Sequence, residues 1–265
     1  MAGPPPILLV GESHGVALAG ALALREPEAR SAAFLDVRPF RPLVGEADGA
    51  PCFAPGLAEA LAARLGPATR VAACIGGNKH NAMSLIASPE PFDFRLSGEP
   101  ETALDPRARP IPESSLRDSL EDRMAGEIQA TTLLARQAAR AGCPAILVLE
   151  APPPLGDEAH VLARADSHFR SHGLGERGVA PRALRRKIWR LQGRILRDLC
   201  GRIGAHYLPV PPRVVGPDGL LHPDAYGRDA THGNAWFGEE VLRAIEARAG
   251  CRPGAPAALA AEGRP

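Results

Sequence analysis

The sequence predicts an α/β fold built on a parallel sheet, and three observations predict it. Five short aliphatic runs, at residues 7–10, 32–36, 69–75, 145–149 and a weaker 205–208, alternate with stretches of helical pattern. The first and third runs end in glycine, at Gly11 and at Gly76-Gly77, as strands do when they turn sharply at a sheet rim. The chain has 265 residues, 45% of them hydrophobic, which is enough for one such core. No linker separates two complete sets of strands and helices. Residues 1–249 are therefore expected to form a single domain on a sheet of roughly five strands.

The elements follow in order. The run 7–10 is the first strand, and an Ala/Leu-rich helix at 16–25 stops before Pro27. The run 32–36 is the second strand, and the Pro- and Gly-rich stretch 37–56 is expected to be a loop. A helix over 57–65 ends at Gly66-Pro67, and 69–75 is the third strand. Residues 88–115 are polar and proline-rich and are expected to form a long loop or lid over the rim. A long helix is expected over 116–141, followed by the fourth strand, 145–149. Residues 151–182 look irregular. A helix rich in Arg182, Arg185, Arg186, Lys187, Arg190, Arg194 and Arg197 has Leu184, Ile188, Leu191, Ile195 and Leu199 on its other face, so its charges are expected to be solvated. After the weak fifth strand, a closing helix spans 234–249, and 250–265 is expected to be a disordered tail.

Composition excludes several functional classes. The formal net charge is +1, which gives no global attraction to nucleic acid or an acidic membrane. Cys52, Cys74, Cys143, Cys200 and Cys251 show no C-x-x-C spacing, so neither a disulfide framework nor a zinc site is expected. There is no signal-peptide pattern and no apolar stretch of membrane-spanning length. The expected location is the cytoplasm and the expected partner a small molecule, with no cofactor and no metal. His14, His80 and His232 could meet at one rim, but their spacing has no metal-ligand signature.

Chemistry concentrates at three places. Gly11-Glu12-Ser13-His14-Gly15 follows the first strand and would lift the Ser13 hydroxyl onto the sheet rim beside backbone N–H groups. A serine hydroxyl needs a base. Asp229-Ala230-Thr231-His232, just before the closing helix, offers His232 as that base, with Asp229 three residues upstream to fix its tautomer. Gly76-Gly77-Asn78 follows the third strand on the same rim. A tetrahedral oxyanion needs donors, and the Ser13 N–H and the Asn78 amide can supply two. Gly45 is the choice for a third donor, with Gly49 as its competitor. His14 and Gly77 are expected to contact substrate.

Together these blocks resemble those of the SGNH hydrolases, the GDSL-type esterases and lipases. That family shows Gly-Asp-Ser near its N-terminus, a lone Gly, Gly-x-Asn-Asp, and Asp-x-x-His near its C-terminus. The counterparts here are Gly11-Glu12-Ser13, Gly76-Gly77-Asn78-Lys79 and Asp229-Ala230-Thr231-His232. The resemblance implies a three-layer α/β/α, flavodoxin-like fold. It also implies Ser13 as nucleophile, Asn78 and a glycine as oxyanion donors, and Asp229 with His232 as orienter and base. Two departures stand out: Glu12 replaces Asp, and Lys79 replaces an acid, which would make the field near Asn78 more positive.

Other readings fit less well. Gly-x-Ser-x-Gly is also the nucleophile elbow of α/β-hydrolases, but in that fold several strands precede the serine, and only one precedes Ser13. A dinucleotide site would need G-x-G-x-x-G, which is missing, although Asp36 ends the second strand where a ribose-binding acid would sit. A non-hydrolytic relative, either an acyltransferase or a carbohydrate-binding protein, is the alternative on the same scaffold. With 4% aromatic residues the chain looks poorly equipped for long acyl groups, so an acetyl-type ester of a sugar or small alcohol is expected.

Overall fold

The computed structural model describes residues 7–99 and 103–250; the expected tail beyond Gly250 lies outside the described residues. The five runs form strands β1 (Ile7–Gly11), β2 (Ala32–Asp36), β3 (Arg70–Cys74), β4 (Leu147–Leu149) and β5 (His206–Leu208). They make one sheet in the order β2-β1-β3-β4-β5, with every pairing parallel. Helices run between them: α1 (Gly15–Leu24), α2 (Pro55–Ala62), α3 (Lys79–Ser84), α4 (Glu113–Arg123), α5 (Ala125–Arg140), short α6 (Glu158–Arg164), α7 (Ser167–Ser171) and α8 (Leu174–Arg177), then α9 (Arg182–Ile203) and α10 (Ala235–Ala249).

Strand side chains alternate between the two faces, so each strand feeds two cores. Leu8, Val10, Val71, Ala73 and Val148 pack with Leu57, Leu134, Leu191 and Ile195 from α2, α5 and α9. Ile7, Leu9, Ala72, Leu147 and Leu149 pack on the other face with Leu18, Phe237 and Leu242 from α1 and α10. This is the three-layer α/β/α arrangement. The chain moves outward from β1 to β2, then crosses back to the other side of β1 to lay down β3. Adjacent β1 and β3 therefore send their following loops to opposite sides, and such a switch point leaves a crevice at the carboxyl ends of the strands.

Four sequence expectations change. The stretch 37–56 contains an antiparallel hairpin, Val44–Ala47 with Ala50–Phe53, closed by Asp48 (φ 52) and Gly49 (φ 73). Two successive positive φ values are what a tight two-residue hairpin turn requires, and Asp-Gly is a favoured pair for it. The long helix over 116–141 is two helices that meet at Met124, whose fully buried side chain fills the junction. Residues 88–115 are not wholly loop: Phe92–Asp93 pairs with Arg109–Pro110, and α4 already begins at Glu113. Residues 151–182 include α6, α7 and α8; Asp157 and Asp166 cap the first two by accepting the N–H groups of His160 and Phe169.

The basic face of α9 is a fifth correction, because much of it is not solvated. The Lys187 ammonium is buried and donates to both Asp93 carboxylate oxygens at 2.6 and 2.8 Å, and to the Phe94 carbonyl at 3.0 Å. Arg190 pairs with Glu99, and Arg194 reaches Glu99 and Glu113 at 3.2 and 3.4 Å. Arg185 is fully buried and donates to the carbonyls of Ala180 and Leu155. The partners of Lys187, Arg190 and Arg194 lie far away in sequence, between Asp93 and Glu113. No helix among the described residues is long and apolar enough to cross a membrane.

Candidate active site

Ser13 sits on the turn from β1 into α1. Glu12 is tied to β3 through its N–H on the Cys74 carbonyl (3.2 Å), and Ser13 O accepts the Val16 N–H (3.1 Å) as the helix begins. The buried Glu12 carboxylate accepts two bonds from Arg41, at 2.9 and 2.6 Å. The longer acid in this position thus carries a cation across from the loop after β2.

Asn78 stands just before α3 without capping it through its side chain, and the turn before it is forced by crowding. Gly76 has φ 79, and a Cβ there would lie 2.5 Å from Glu127 Cβ. Glu127 also pairs with Lys79 at 2.8 Å. The positive field expected from Lys79 is therefore matched by an acid on α5. The Asn78 side-chain oxygen accepts from Asn81 Nδ2 at 2.8 Å, which leaves the Asn78 NH2 to donate elsewhere. Gln192, buried on α9, holds the same turn at two points. It donates to Gly77 O at 3.1 Å and accepts the His80 N–H at 2.8 Å.

His232 ends a loop fastened at both sides. Tyr226 bridges to Gly233, Gly227 N–H donates to His232 O at 2.7 Å, and Asn234 caps α10 through Phe237 N–H at 3.1 Å. Within the loop Asp229 Oδ2 accepts a hydrogen bond from His232 Nδ1 at 2.8 Å, and Oδ1 accepts the backbone N–H groups of Thr231 and His232, each at 2.9 Å. Burial alone would raise the Asp229 pKa. The bonds from the His232 ring and the Thr231 N–H outweigh it and hold the carboxylate well below its usual range. His232 Nε2 is buried and has no hydrogen-bond partner among the described residues, Ser13 Oγ included.

The three blocks meet at His14. Its buried ring lies 4.6 Å from the His232 ring, centroid to centroid. It also packs on Gly77 so closely that a Cβ there would sit 2.1 Å from His14 Cδ2. The neighbours of Ser13 and Asn78 are thus in contact with each other and with His232. Burial pushes the His14 pKa well below its ordinary value, with His232 and His80 adding to the effect. Burial takes His80 down to about 4. Both imidazoles are neutral at pH 7, and among the described residues no cluster of three or more metal-ligating side chains is arranged to hold an ion. Gly45 lies in the exposed hairpin opposite Cys52, with no atom within 4 Å of its Cβ position. Gly49 occupies the hairpin turn.

The packing of α1 on α10 fixes the Ser13 turn relative to the loop that carries His232. Gly238 approaches α1 so closely that a Cβ would lie 2.0 Å from Ala17 O. Buried Arg25, just past α1, donates to Glu239 Oε2 at 2.9 Å and to Glu246 Oε1 at 2.5 Å on α10. The sequence reading missed Gln192, Asn81, Tyr226, His160 and this arginine. Gln192 left one trace: an amide placed among Ile188, Leu191 and Ile195 on the apolar side of α9.

No protein-family model matches the chain, and comparison with curated proteins gives no match. Solved structures do match. A Streptococcus pneumonia protein assigned as a platelet activating factor is 13% identical, with a TM-score of 0.51 over 94% of this chain and 85% of that one. A GDSL-like lipase from Bacteroides thetaiotaomicron VPI-5482 is 13% identical, with a TM-score of 0.42 over 91% of this chain and 88% of that one. At such identity the first likeness shows the fold. The chain shares its three-layer α/β/α fold with that protein, and its Gly-x-Ser and Gly-x-Asn blocks follow adjacent strands of the sheet.

Proposed function

We propose that the chain is a serine ester hydrolase of SGNH type, acting through an acyl-enzyme on an acetyl-type ester of a carbohydrate or other small alcohol. One observation carries the reading: His14 touches both Gly77 and His232, which gathers the Ser13, Asn78 and Asp229–His232 blocks at one switch point. In this mechanism Ser13 Oγ attacks the ester carbonyl carbon and its proton passes to His232 Nε2. The Ser13 N–H and the Asn78 amide hold the oxyanion. The carbon–oxygen bond to the alcohol then breaks, and the alcohol leaves with the proton from His232. Water repeats the sequence on the acyl-Ser13 and releases the acid. Asp229 remains ionised and steadies the imidazolium.

Gly45 is the proposed third oxyanion donor, and His14 and Gly77 the proposed substrate contacts. The proposed setting is the cytoplasm, with a small-molecule ester as partner, no nucleic acid and no membrane. The proposed organisation is a single domain over 1–249, with 88–115 over the rim. The alternative is a non-hydrolytic relative, an acyltransferase or carbohydrate-binding protein; the two departures that motivate it, Glu12 and Lys79, pair with Arg41 and Glu127.

The test is hydrolysis of p-nitrophenyl acetate and butyrate together with fluorophosphonate labelling, for wild type and Ser13→Ala. Turnover and labelling should both vanish in the variant, and acetate should be the better substrate. A folded wild type that neither turns over nor labels would sink the reading. Asn78→Ala should lower kcat by about 10²–10³-fold with little change in KM. Product partition with an added acceptor alcohol separates hydrolase from transferase.

A further inference from the structure

The wall that carries Asn78 continues into a second cavity. Ala82 donates its N–H to the Asn78 carbonyl at 3.1 Å, so one helical turn, about 5.4 Å, separates them. Ala82 and Met83 on α3 form one side of a cavity of about 250 Å3. The opposite side is α7 with the residues after it, and this wall also begins at the catalytic loop. His160 on α6 contacts the Asp229 carbonyl at 3.2 Å, and α7 follows α6 after a single short turn. Both walls therefore touch the triad region at one end and the cavity at the other.

The lining has a defined chemistry. Phe92 and Phe169 join Met83 in an apolar floor. His168, His172 and Arg177 are the ionisable residues of the lining, and no acid is among them. Backbone groups array them: His172 Nδ1 donates to the His168 carbonyl at 2.7 Å, Arg177 donates to the His172 carbonyl, and the two imidazoles lie 4.3 Å apart. None of the three makes an ion pair with a described residue. A dry cavity of about 150 Å3 already accepts a benzene ring. The space here takes a six-membered ring with a charged substituent.

We propose that this cavity is a subsite for an anionic ring, and that the ester's alcohol portion is a six-membered ring carrying a carboxylate or comparable anion. The identity of the occupant as half of an ester rests on the hydrolase reading above. The anion lies against Arg177 and the two histidines, the ring against Phe92 and Phe169, and the esterified hydroxyl points back toward Asn78. Hydrolysis adds water across the ester, releasing the acid and the anionic alcohol.

Two measurements test this separately from the chemistry. The first is calorimetric binding of 4-hydroxybenzoate and of glucuronate, each beside its neutral counterpart, 4-hydroxybenzamide and glucose, to wild type and Arg177→Gln. Arg177 is exposed, so its replacement leaves the core untouched. At least one anion should bind about ten-fold tighter than its neutral counterpart, and Arg177→Gln should erase the difference; which anion binds distinguishes an aromatic from a sugar acid. Equal binding of anion and neutral counterpart, or no effect of Arg177→Gln, would overturn the proposal. The second is kcat/KM for 4-acetoxybenzoate against 4-acetoxybenzamide. The anionic ester should be preferred in wild type, with the ratio collapsing toward one in Arg177→Gln. Anion binding without ester turnover or fluorophosphonate labelling would uphold the subsite and reject the hydrolase. Turnover of p-nitrophenyl acetate without any preference for an anion would do the reverse.

Discussion

Arg25 and Lys187 are both buried cations, on opposite faces of the sheet, and they fasten different kinds of structure. Arg25 lies between two regular helices, α1 and α10, and meets two carboxylates, Glu239 and Glu246. Lys187 lies between a helix and irregular chain, and meets one carboxylate and backbone carbonyls. The first joint fixes the turn bearing Ser13 relative to the loop bearing His232. The second holds the segment around Asp93 and Phe94, whose neighbour Phe92 lines the cavity. One joint sets the geometry of the reacting groups, while the other shapes what lies beside them. Damage to the first should appear in kcat, and damage to the second in KM.

Gly238→Ala tests the first half most sharply. A methyl group 2.0 Å from the Ala17 carbonyl oxygen forces the helices apart. Misplacement of catalytic groups by about 1 Å costs about 10²-fold, so kcat should fall by that order while KM changes little. Unchanged kcat in a folded variant would show that the helix contact does not govern the site.

Arg25→Met should cost about 3–5 kcal/mol in urea unfolding, because two buried carboxylates lose their counter-ion. Its residual folded fraction should show lowered kcat. Lys187→Met strands the buried Asp93 in the same way, and Lys187→Met with Asp93→Leu should recover most of that loss, as apolar replacement of both partners does elsewhere. The double variant should keep kcat within a few-fold while KM for an ester that reaches the cavity rises. A fall in kcat larger than the rise in KM would remove the distinction between the two joints.

The smallest effect concerns His80, where the two regions meet through Gln192. Buried His80 stays neutral down to about pH 4, whereas an unfolded chain takes up that proton near pH 6.5. The unfolded state therefore binds more protons between these values. Stability should be level above about pH 6.5 and fall as pH drops toward 4, by up to about 1.4 kcal/mol per unit for this one group. His14 acts in the same direction. Urea midpoints at pH 7 and pH 5 measure the slope, and His80→Leu should flatten part of it.

The strands and the chemical blocks were legible because both are local. Aliphatic runs ending in glycine specify strand and turn within ten residues, and Asp229 reaches His232 within one loop. The contacts that hold the site were hidden for the opposite reason. Lys187 meets Asp93 and Gln192 meets Gly77 across 94 and 115 residues of sequence, and nothing near Lys187 distinguishes it from the exposed arginines around it. The break at Met124 follows from how α4 and α5 pack, not from a helix-stopping residue. The hairpin at 44–53 is different, since Asp48-Gly49 carried a turn signal inside a stretch dominated by proline and glycine.

The pairing of α1 with α10 also orders events in time. Synthesis delivers Ser13 with the first strand, and Asn78 with the third, long before the helix that follows His232 is made. Until residues 235–249 leave the ribosome and dock, the Ser13 turn lacks both the His232 loop and the helix that α1 packs against. A growing chain can thus build most of its sheet before Ser13 and His232 are brought together, and the site is complete only with the last helix.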